Sequence, residues 1–298
     1  MPSETAASLR LDRLVALLKP ERRTRILDIG ANPINDCPYD ALLRSGHGEV
    51  WGFEPQQDAF EQLQARKAES ENYLPYAIGD GTPAELHICK SSGFTSLLAP
   101  NPATLAYLGR WHKAMAVDRT VPLTTRRLDD LGDLPRPDLV KIDVQGAEKM
   151  IFENGRETLS SAVAIITEMA FVPLYQGQPL FHQQAALLES YGFLLHKFMF
   201  LKAKAVNSAL MSGVNWRRYQ SQVIDGDAVL IRSLLDSDLH TDEQLKHLAI
   251  CADSVFGSED LTLKCLSILW QRGVITEAGA RAYAALLPHQ KAGEASAA

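Results

Sequence analysis

The run Lys141-Ile142-Asp143-Val144-Gln145-Gly146-Ala147-Glu148 constrains the fold more than any other part of the chain, because it sets an acid at the end of an apolar strand with a glycine turn directly behind it. Residues 138–144 are short and almost continuously apolar, the pattern of a parallel strand covered on both faces. Residues 147–154 predict the next helix, with Gly155 as its C-terminal cap. Open α/β sheets bind ligands outside the carboxyl ends of their strands, so Asp143 is predicted to face that crevice.

A second strand-to-glycine turn lies upstream in Ile26-Leu27-Asp28-Ile29-Gly30-Ala31-Asn32, and a third acid, Glu54, follows the strand Glu49-Val50-Trp51-Gly52-Phe53. Glu54 stands 26 residues after Asp28, close to the roughly 20-residue offset at which a dinucleotide fold offers a carboxylate to ribose hydroxyls. Gly30 lets the backbone turn sharply, and the two oxygens of Glu54 can accept both hydrogen bonds of a cis diol. A diphosphate turn wants G-x-G-x-x-G. Here Gly30 is followed by Ala31-Asn32-Pro33-Ile34-Asn35, with one glycine and a proline that removes a backbone donor. This favours a nucleoside with an uncharged or cationic tail, such as S-adenosylmethionine, over NAD.

Strand patterns recur near residues 25–29, 49–53, 73–77, 138–144, 163–168, 193–199 and 227–232, with helices between most of them. The prediction is an α/β fold: a doubly wound, Rossmann-like, mostly parallel sheet over residues 24–235. Glu85–Lys90 with Val121-Pro122-Leu123 reads as an inserted hairpin beside a loop rich in Pro, Gly and Asn. Leu11, Leu14, Val15 and Leu18 recur at helical spacing, so residues 1–23 are expected to contribute an N-terminal helix that packs on the sheet. After Asp236 the period is helical only. Thr241 with Gln244 forms a capping box, two further helices follow, and residues 236–290 are predicted as a C-terminal helical appendage, with a disordered tail over 291–298. The appendage is a candidate for covering the site or for pairing two subunits as a homodimer.

These segments together resemble the FkbM-type S-adenosylmethionine-dependent methyltransferases. Asp28-Ile29-Gly30-Ala31-Asn32 is similar to that family's first cofactor loop, Gly52-Phe53-Glu54-Pro55 to its ribose-binding acid, and Ala77-Ile78-Gly79-Asp80 to the segment beside the adenine. Ser91–Leu97, which contains Ser96, is similar to its glycine-serine loop, residues 125–130 to its approach to the fourth strand, and Lys141–Glu148 to its signature. The likeness spans residues 25–232 and departs at Pro33-Ile34, where many relatives carry a second glycine. It implies that Asp28, Gly30, Asn32, Glu54, Pro55, Gly79, Asp80, Ser96 and Asp143 meet the cofactor, that S-adenosylhomocysteine is the product, and that the acceptor is a hydroxyl on a carbohydrate or another small molecule.

Methyl transfer from a sulfonium is an in-line displacement, so holding three atoms on one line supplies up to about 7–11 kcal/mol. A hydroxyl acceptor must also lose its proton, and a positioned base adds roughly 10²–10⁴-fold. The candidate catalytic residues are Asp143, Glu168 at the end of Val163-Ala164-Ile165-Ile166-Thr167, and His182 in a loop beyond it. Asp143 could instead cap the helix that follows it, and Glu148 in that helix's first turn suits the helix dipole. Lys141 in a covered strand needs a carboxylate partner. A magnesium site from Asp143 and Glu168 is the weaker option, because no third oxygen ligand is legible in the sequence, and the sequence leaves the use of a metal open. Trp216, Arg217, Arg218 and Tyr219 are suited to stacking and clamping a sugar or a carboxylated acceptor, and equally to a solvated loop.

The net charge of −6 and Lys and Arg residues scattered along the chain argue against nucleic acid as a partner. Four cysteines without a C-x-x-C pair fit reduced thiols, and no run reaches the roughly 18 apolar residues of a membrane span, so a cytoplasmic protein is expected. Two rival readings use the same fold. One is a nicotinamide-dependent oxidoreductase or sugar-nucleotide enzyme, against which the missing glycines count. The other is a catalytically silent nucleoside-binding module.

Overall fold

Aliphatic strands that alternate with short helices can bury both faces only as a layered α/β sheet. The computed structural model describes residues 4–33 and 36–288. In chain order its elements are α1 (Glu4–Leu18), β1 (Thr24–Ile29), α2 (Asp40–Arg44), β2 (Gly48–Phe53), α3 (Gln57–Arg66), β3 (Glu71–Leu74), β4 (Pro83–Cys89), α4 (Pro102–Leu108), β5 (Val117–Thr124) and β6 (Leu139–Ile142). There follow α5 (Glu148–Glu153), α6 (Arg156–Leu159), β7 (Ala164–Ala170), α7 (Phe181–Ser190), β8 (Phe193–Lys204), β9 (Gln222–Arg232), α8 (Asp242–Ser254), α9 (Glu259–Gln271) and α10 (Glu277–Ala284).

Seven strands form one sheet in the order β3-β2-β1-β6-β7-β9-β8. The pairs β1–β6, β2–β3 and β6–β7 are parallel, while β9 runs antiparallel to both β7 and β8. The chain moves outward from β1 to β3 and then returns to the other side of β1 with β6. The switch point therefore falls between β1 and β6, where the first glycine turn and Asp143 both lie. β4 and β5 pair antiparallel as the separate hairpin expected from Glu85–Lys90 and Val121-Pro122-Leu123. Leu27, Ile29, Phe53, Val140, Ile142, Phe152, Ile165 and Leu230 join in one buried cluster around the sheet.

Two local expectations are corrected. The third strand occupies Glu71–Leu74 rather than residues 73–77, because Pro75 cannot donate to the ladder, and the chain beyond it makes an isolated bridge from Ile78 to Arg126. Gly155 is not a left-handed cap: its φ is −135°, it precedes α6, and a Cβ there would meet the Leu128 side chain at 2.9 Å. Packing space, not backbone freedom, explains this glycine.

The chain divides into two compact units, one of residues up to Thr24, Cys37–Gly48 and residues from Leu235 onward, the other of Arg25–Asp36 and Glu49–Leu234. In the first unit α1 packs against α8 and α10. Arg10 Nε lies 2.7 Å from Asp253 Oδ1, and the Tyr283 hydroxyl donates to the same carboxylate. α8 begins with the Thr241–Gln244 capping box and is followed by Gly257 at φ +56°. Cys89, Cys251 and Cys265 are buried thiols. The tail expected over 291–298 and the residues Ile34 and Asn35 lie outside the described residues.

Gly30 has φ +85°, and a Cβ on it would sit 2.1 Å from the carbonyl oxygen of Asp143. Gly46 has a similar φ, +75°, with nothing within 4 Å of its Cβ position. Gly30→Ala is therefore expected to cost about 2–4 kcal/mol or more, against about 1–2 kcal/mol of left-handed strain for Gly46→Ala. Urea midpoints of the two variants compare them, and equal losses would show that the close approach is not what requires glycine at position 30.

Candidate active site

The site grows from the carboxyl ends of β1, β2, β6 and β7. Asp143 N donates to Ile29 O at 3.0 Å, which ties the end of β6 to the first turn. Behind that turn Lys141 Nζ lies 3.1 Å from Asp28 Oδ1 and 3.3 Å from Gly30 O. The cation that a covered strand could not tolerate alone thus meets its carboxylate, and Asp28 is fully buried.

The amides of the first turn are already engaged. Gly30 N and Ala31 N both donate to Phe53 O at 3.0 Å, and Asn32 N donates to Gly30 O at 2.8 Å. A diphosphate needs bare amides at this position. Carboxylates border the turn instead, Asp28 beneath it and Glu54 directly after Phe53, and such groups suit hydroxyl donors and a cationic centre rather than a diphosphate. Glu54, 2% exposed, accepts from Gln56 N at 2.7 Å, and burial together with nearby Asp28 raises its carboxyl to about 7. Pro55 follows it without a backbone donor. Gly79 approaches Thr125 so closely that a Cβ would lie 2.8 Å from the threonine side chain. Asp80 Oδ1 accepts from Thr82 N at 3.0 Å and Thr82 Oγ1 at 2.7 Å, and these bonds lower its pKa while holding the turn.

The second turn carries its side chains on an unusual backbone. Gln145 has φ +59° and Gly146 φ +108°. Gln145 Nε2 donates to Asp143 Oδ1 at 2.6 Å and to Glu168 Oε2 at 3.0 Å, while its Oε1 lies 3.0 Å from the Tyr175 hydroxyl. Its carbonyl accepts from Ser96 Oγ at 2.7 Å. Ser96 is buried and also accepts from Leu98 N at 2.9 Å, so it fastens the glycine-serine loop to the signature loop. Gln145 was not legible as a site residue: it sits inside the signature, but the bridge depends on a left-handed backbone that the residue type does not announce.

The capping role open to Asp143 as an alternative is filled by another residue. Val144 N and Gly146 N donate to Glu148 Oε1 at 3.1 and 3.0 Å, and Gln184 Nε2 lies 3.4 Å from Glu148 Oε2. Glu148 is 1% exposed, and burial raises it to about 7 against the pull of its backbone donors. Asp143 is thereby left to Gln145 and the crevice.

Glu168 faces Asp227 directly across the β7–β9 ladder, and Asp225 lies two positions along β9. Burial raises Glu168 well above the ordinary carboxylate range, reinforced by Asp143, Glu148 and Asp225 and opposed by Lys202, which lies 2.7 Å from Asp225. Asp227, although exposed at the surface, is raised by partial desolvation of its carboxyl and by Asp143 and Asp225, against Lys141 and Lys202. The Asp-Gly-Asp spacing in β9 was the available signal for these two acids, since alternate residues share a face. Carboxylate oxygens of Asp143, Glu148 and Glu168 all come within 4.8 Å of one another, so the fold brings the third acid that the sequence left unidentified. The Gln145 amide and two backbone amides already donate to these groups. His182 stands exposed in the first turn of α7 rather than in a loop, and no hydrogen bond among the described residues joins it to the acids.

An open sheet whose reversed strand β9 lies between β7 and β8, with acids at its carboxyl edge and a first turn closed to diphosphate, defines a class I S-adenosylmethionine-dependent methyltransferase. The methyltransferase FkbM domain model matches residues 28–195, and the chain belongs to that family. It is 28% identical over 190 residues to the 2-O-methyltransferase NoeI of Sinorhizobium fredii, covering 58% of this chain and 74% of that protein. It is likewise 28% identical over 145 residues to the hexuronic acid methyltransferase AglP of Haloferax volcanii, covering 48% of this chain and 54% of that one. Magnesium protoporphyrin IX methyltransferase from Synechocystis, solved with bound S-adenosylmethionine, is similar at 12% identity and a TM-score of 0.35 over 77% of this chain and 81% of that one. No helix among the described residues is long and apolar enough to cross a membrane.

Glu148 binds its proton more tightly folded than unfolded, so its contribution to stability is complete below about 4.5 and is lost as pH rises through about 7. Glu148→Gln keeps an acceptor for the two amides, and a turn of the Gln184 amide would present to its new N–H the Gln184 Oε1, which is buried without a partner among the described residues. Denaturation at pH 5 and pH 8 should show the variant losing less stability than the parent over this interval. A parallel decline in both proteins would count against the raised Glu148.

Proposed function

We propose that the enzyme transfers the methyl group of S-adenosylmethionine to a hydroxyl oxygen of a carbohydrate, with Glu168 as the base that takes the hydroxyl proton. The observation that carries this reading is the Gln145 amide bridging Asp143 Oδ1 and Glu168 Oε2 at the carboxyl edge of β6 and β7. The names of the two relatives, one a 2-O-methyltransferase and the other a hexuronic acid methyltransferase, support a sugar acceptor.

The cofactor supplies an electrophilic methyl on a cationic sulfur and leaves as S-adenosylhomocysteine. Glu54 accepts the ribose hydroxyls beside the closed first turn, with Asp28, Gly30, Asn32 and Pro55 shaping that wall and Gly79 and Asp80 bordering the base. Asp143 orients the donor end of the site. Glu168 is suited to general-base work because burial and neighbouring acids raise its proton affinity well above that of an ordinary carboxylate. As the acceptor oxygen bonds to the methyl carbon and the carbon–sulfur bond breaks, the hydroxyl proton passes to Glu168. Gln145 restricts both carboxylates to one arrangement, and Tyr175 in turn restricts the Gln145 amide. His182, in the first turn of α7, is the second candidate proton acceptor.

Two outcomes test these roles. Glu168→Gln should lower kcat by roughly 10²–10⁴-fold and leave cofactor affinity unchanged; an undiminished kcat removes Glu168 from the mechanism. Hydroxyl donors bind the ionised form of Glu54, so cofactor affinity should strengthen about tenfold from pH 6 to pH 8, as the carboxyl at about 7 loses its proton. Calorimetry on Glu54→Gln should give weaker binding that no longer follows pH, and a variant that retains the pH dependence would exclude the ribose assignment.

A further inference from the structure

Charge is unevenly placed in this acidic chain. Residues 86–117 contain no Asp or Glu, and residues 169–224 contain a single one, Glu189. The fold brings these two segments together. Asn207 N donates to Tyr107 O at 3.0 Å, Tyr107 hydroxyl bonds Gln222 Oε1 at 3.2 Å, and a Cβ on Gly109 would press on the Asn207 side chain at 2.5 Å. Across this junction the Arg110 guanidinium lies 5.1 Å from the centre of the Trp216 ring, and Arg217 stacks on the same ring at 5.5 Å. Trp216 is still 40% exposed and Tyr219 59%. Among the described residues no salt bridge reaches Arg110, Lys113, Arg217 or Arg218.

We propose that this surface, Gly109–Lys113 with residues 215–219, docks an anionic sugar residue of the acceptor. The inference rests on the carbohydrate reading above and narrows it to acidic glycans. Arg110 Nε donates to Leu108 O at 3.4 Å, which leaves its two terminal nitrogens, with the guanidinium of Arg217, to hold a carboxylate or phosphate through two hydrogen bonds. The free faces of Trp216 and Tyr219 suit the C–H face of a pyranose. The surface is also joined to the acids of the site. The Trp111 ring lies 6.0 Å from that of Phe94, whose carbonyl is 3.2 Å from the Tyr175 hydroxyl, which in turn meets Gln145 at 3.0 Å. Asp143, Glu168, Asp225 and Asp227 repel a second anion, so an acidic acceptor is oriented with its charge toward the arginines and a neutral hydroxyl toward Glu168.

The test is calorimetry on the full chain saturated with S-adenosylhomocysteine, using trigalacturonate, mannose 6-phosphate, neutral maltotriose and a uridine dodecanucleotide as probes. At least one acidic sugar should bind where maltotriose does not, which identifies the anion as carboxylate or phosphate. Its affinity should fall at least tenfold in Arg110→Ala/Arg217→Ala and in the single variant Arg217→Glu, and should weaken with added salt. Equal binding of maltotriose, unchanged affinity in both variants, or no binding of either acidic sugar at millimolar concentration overturns the proposal. Tighter binding of the oligonucleotide, lost in the variants, would make the surface a nucleic-acid site instead. Failure of the parent protein to bind S-adenosylhomocysteine would contradict the methyltransferase reading separately, because the sugar titrations are repeated without it.

Discussion

Everything at the centre of this enzyme depends on the backbone contact between Gly30 and Asp143. The two residues end neighbouring parallel strands, Ile29 faces Ile142 in the register, and Asp143 N bonds Ile29 O at 3.0 Å. Only a residue without a Cβ can turn at Gly30 while the carbonyl of Asp143 lies against it. That closeness also aligns Lys141 with Asp28 beneath the turn, which neutralises a cation and an acid that would otherwise both be costly in a covered sheet. One steric constraint therefore sets the spacing of the first turn and the direction of Asp143.

The acids above this contact would repel one another if nothing intervened. The structure separates them into two tasks through their donors. Glu148 takes two backbone amides and closes the second turn, whereas Asp143 and Glu168 share one side-chain amide. The amide of Gln145 carries two N–H groups and so can satisfy two carboxylates at once, while its oxygen faces Tyr175. A charged bridge would have neutralised the pair and lowered Glu168. A neutral one orders the pair and leaves the proton affinity raised by burial intact.

Farther from the sheet the balance of charge reverses. Asp225 and Asp227 close the acidic ridge on β9, and immediately before them the chain runs without an acid through β8 and the Trp216 loop. Acidic and basic residues are thus segregated into different segments, although the chain as a whole carries a net charge of −6. Such separation orients a bifunctional ligand without requiring a tight fit, because Coulomb terms act over a Debye length of about 8–10 Å.

Much of this was legible in the residues. The apolar runs, the glycines at turns and the acids at strand ends are local patterns, and local patterns determined the doubly wound sheet, the two strand-end turns, the place of Glu54 after β2 and the Asp143–Glu168 pair. The capping box at Thr241 was equally local. What the tertiary structure alone decided were relations between distant residues. Glu148 rather than Asp143 satisfies the loop amides, Gln145 reaches both acids because its backbone is left-handed, α1 packs with the C-terminal helices, and cations scattered along the chain gather where residues 107–113 meet residues 207–219. A sequence specifies which groups are apolar, charged or flexible within a few residues. Which charge faces which, and how much water remains between them, depends on strand register and chain crossings many residues apart.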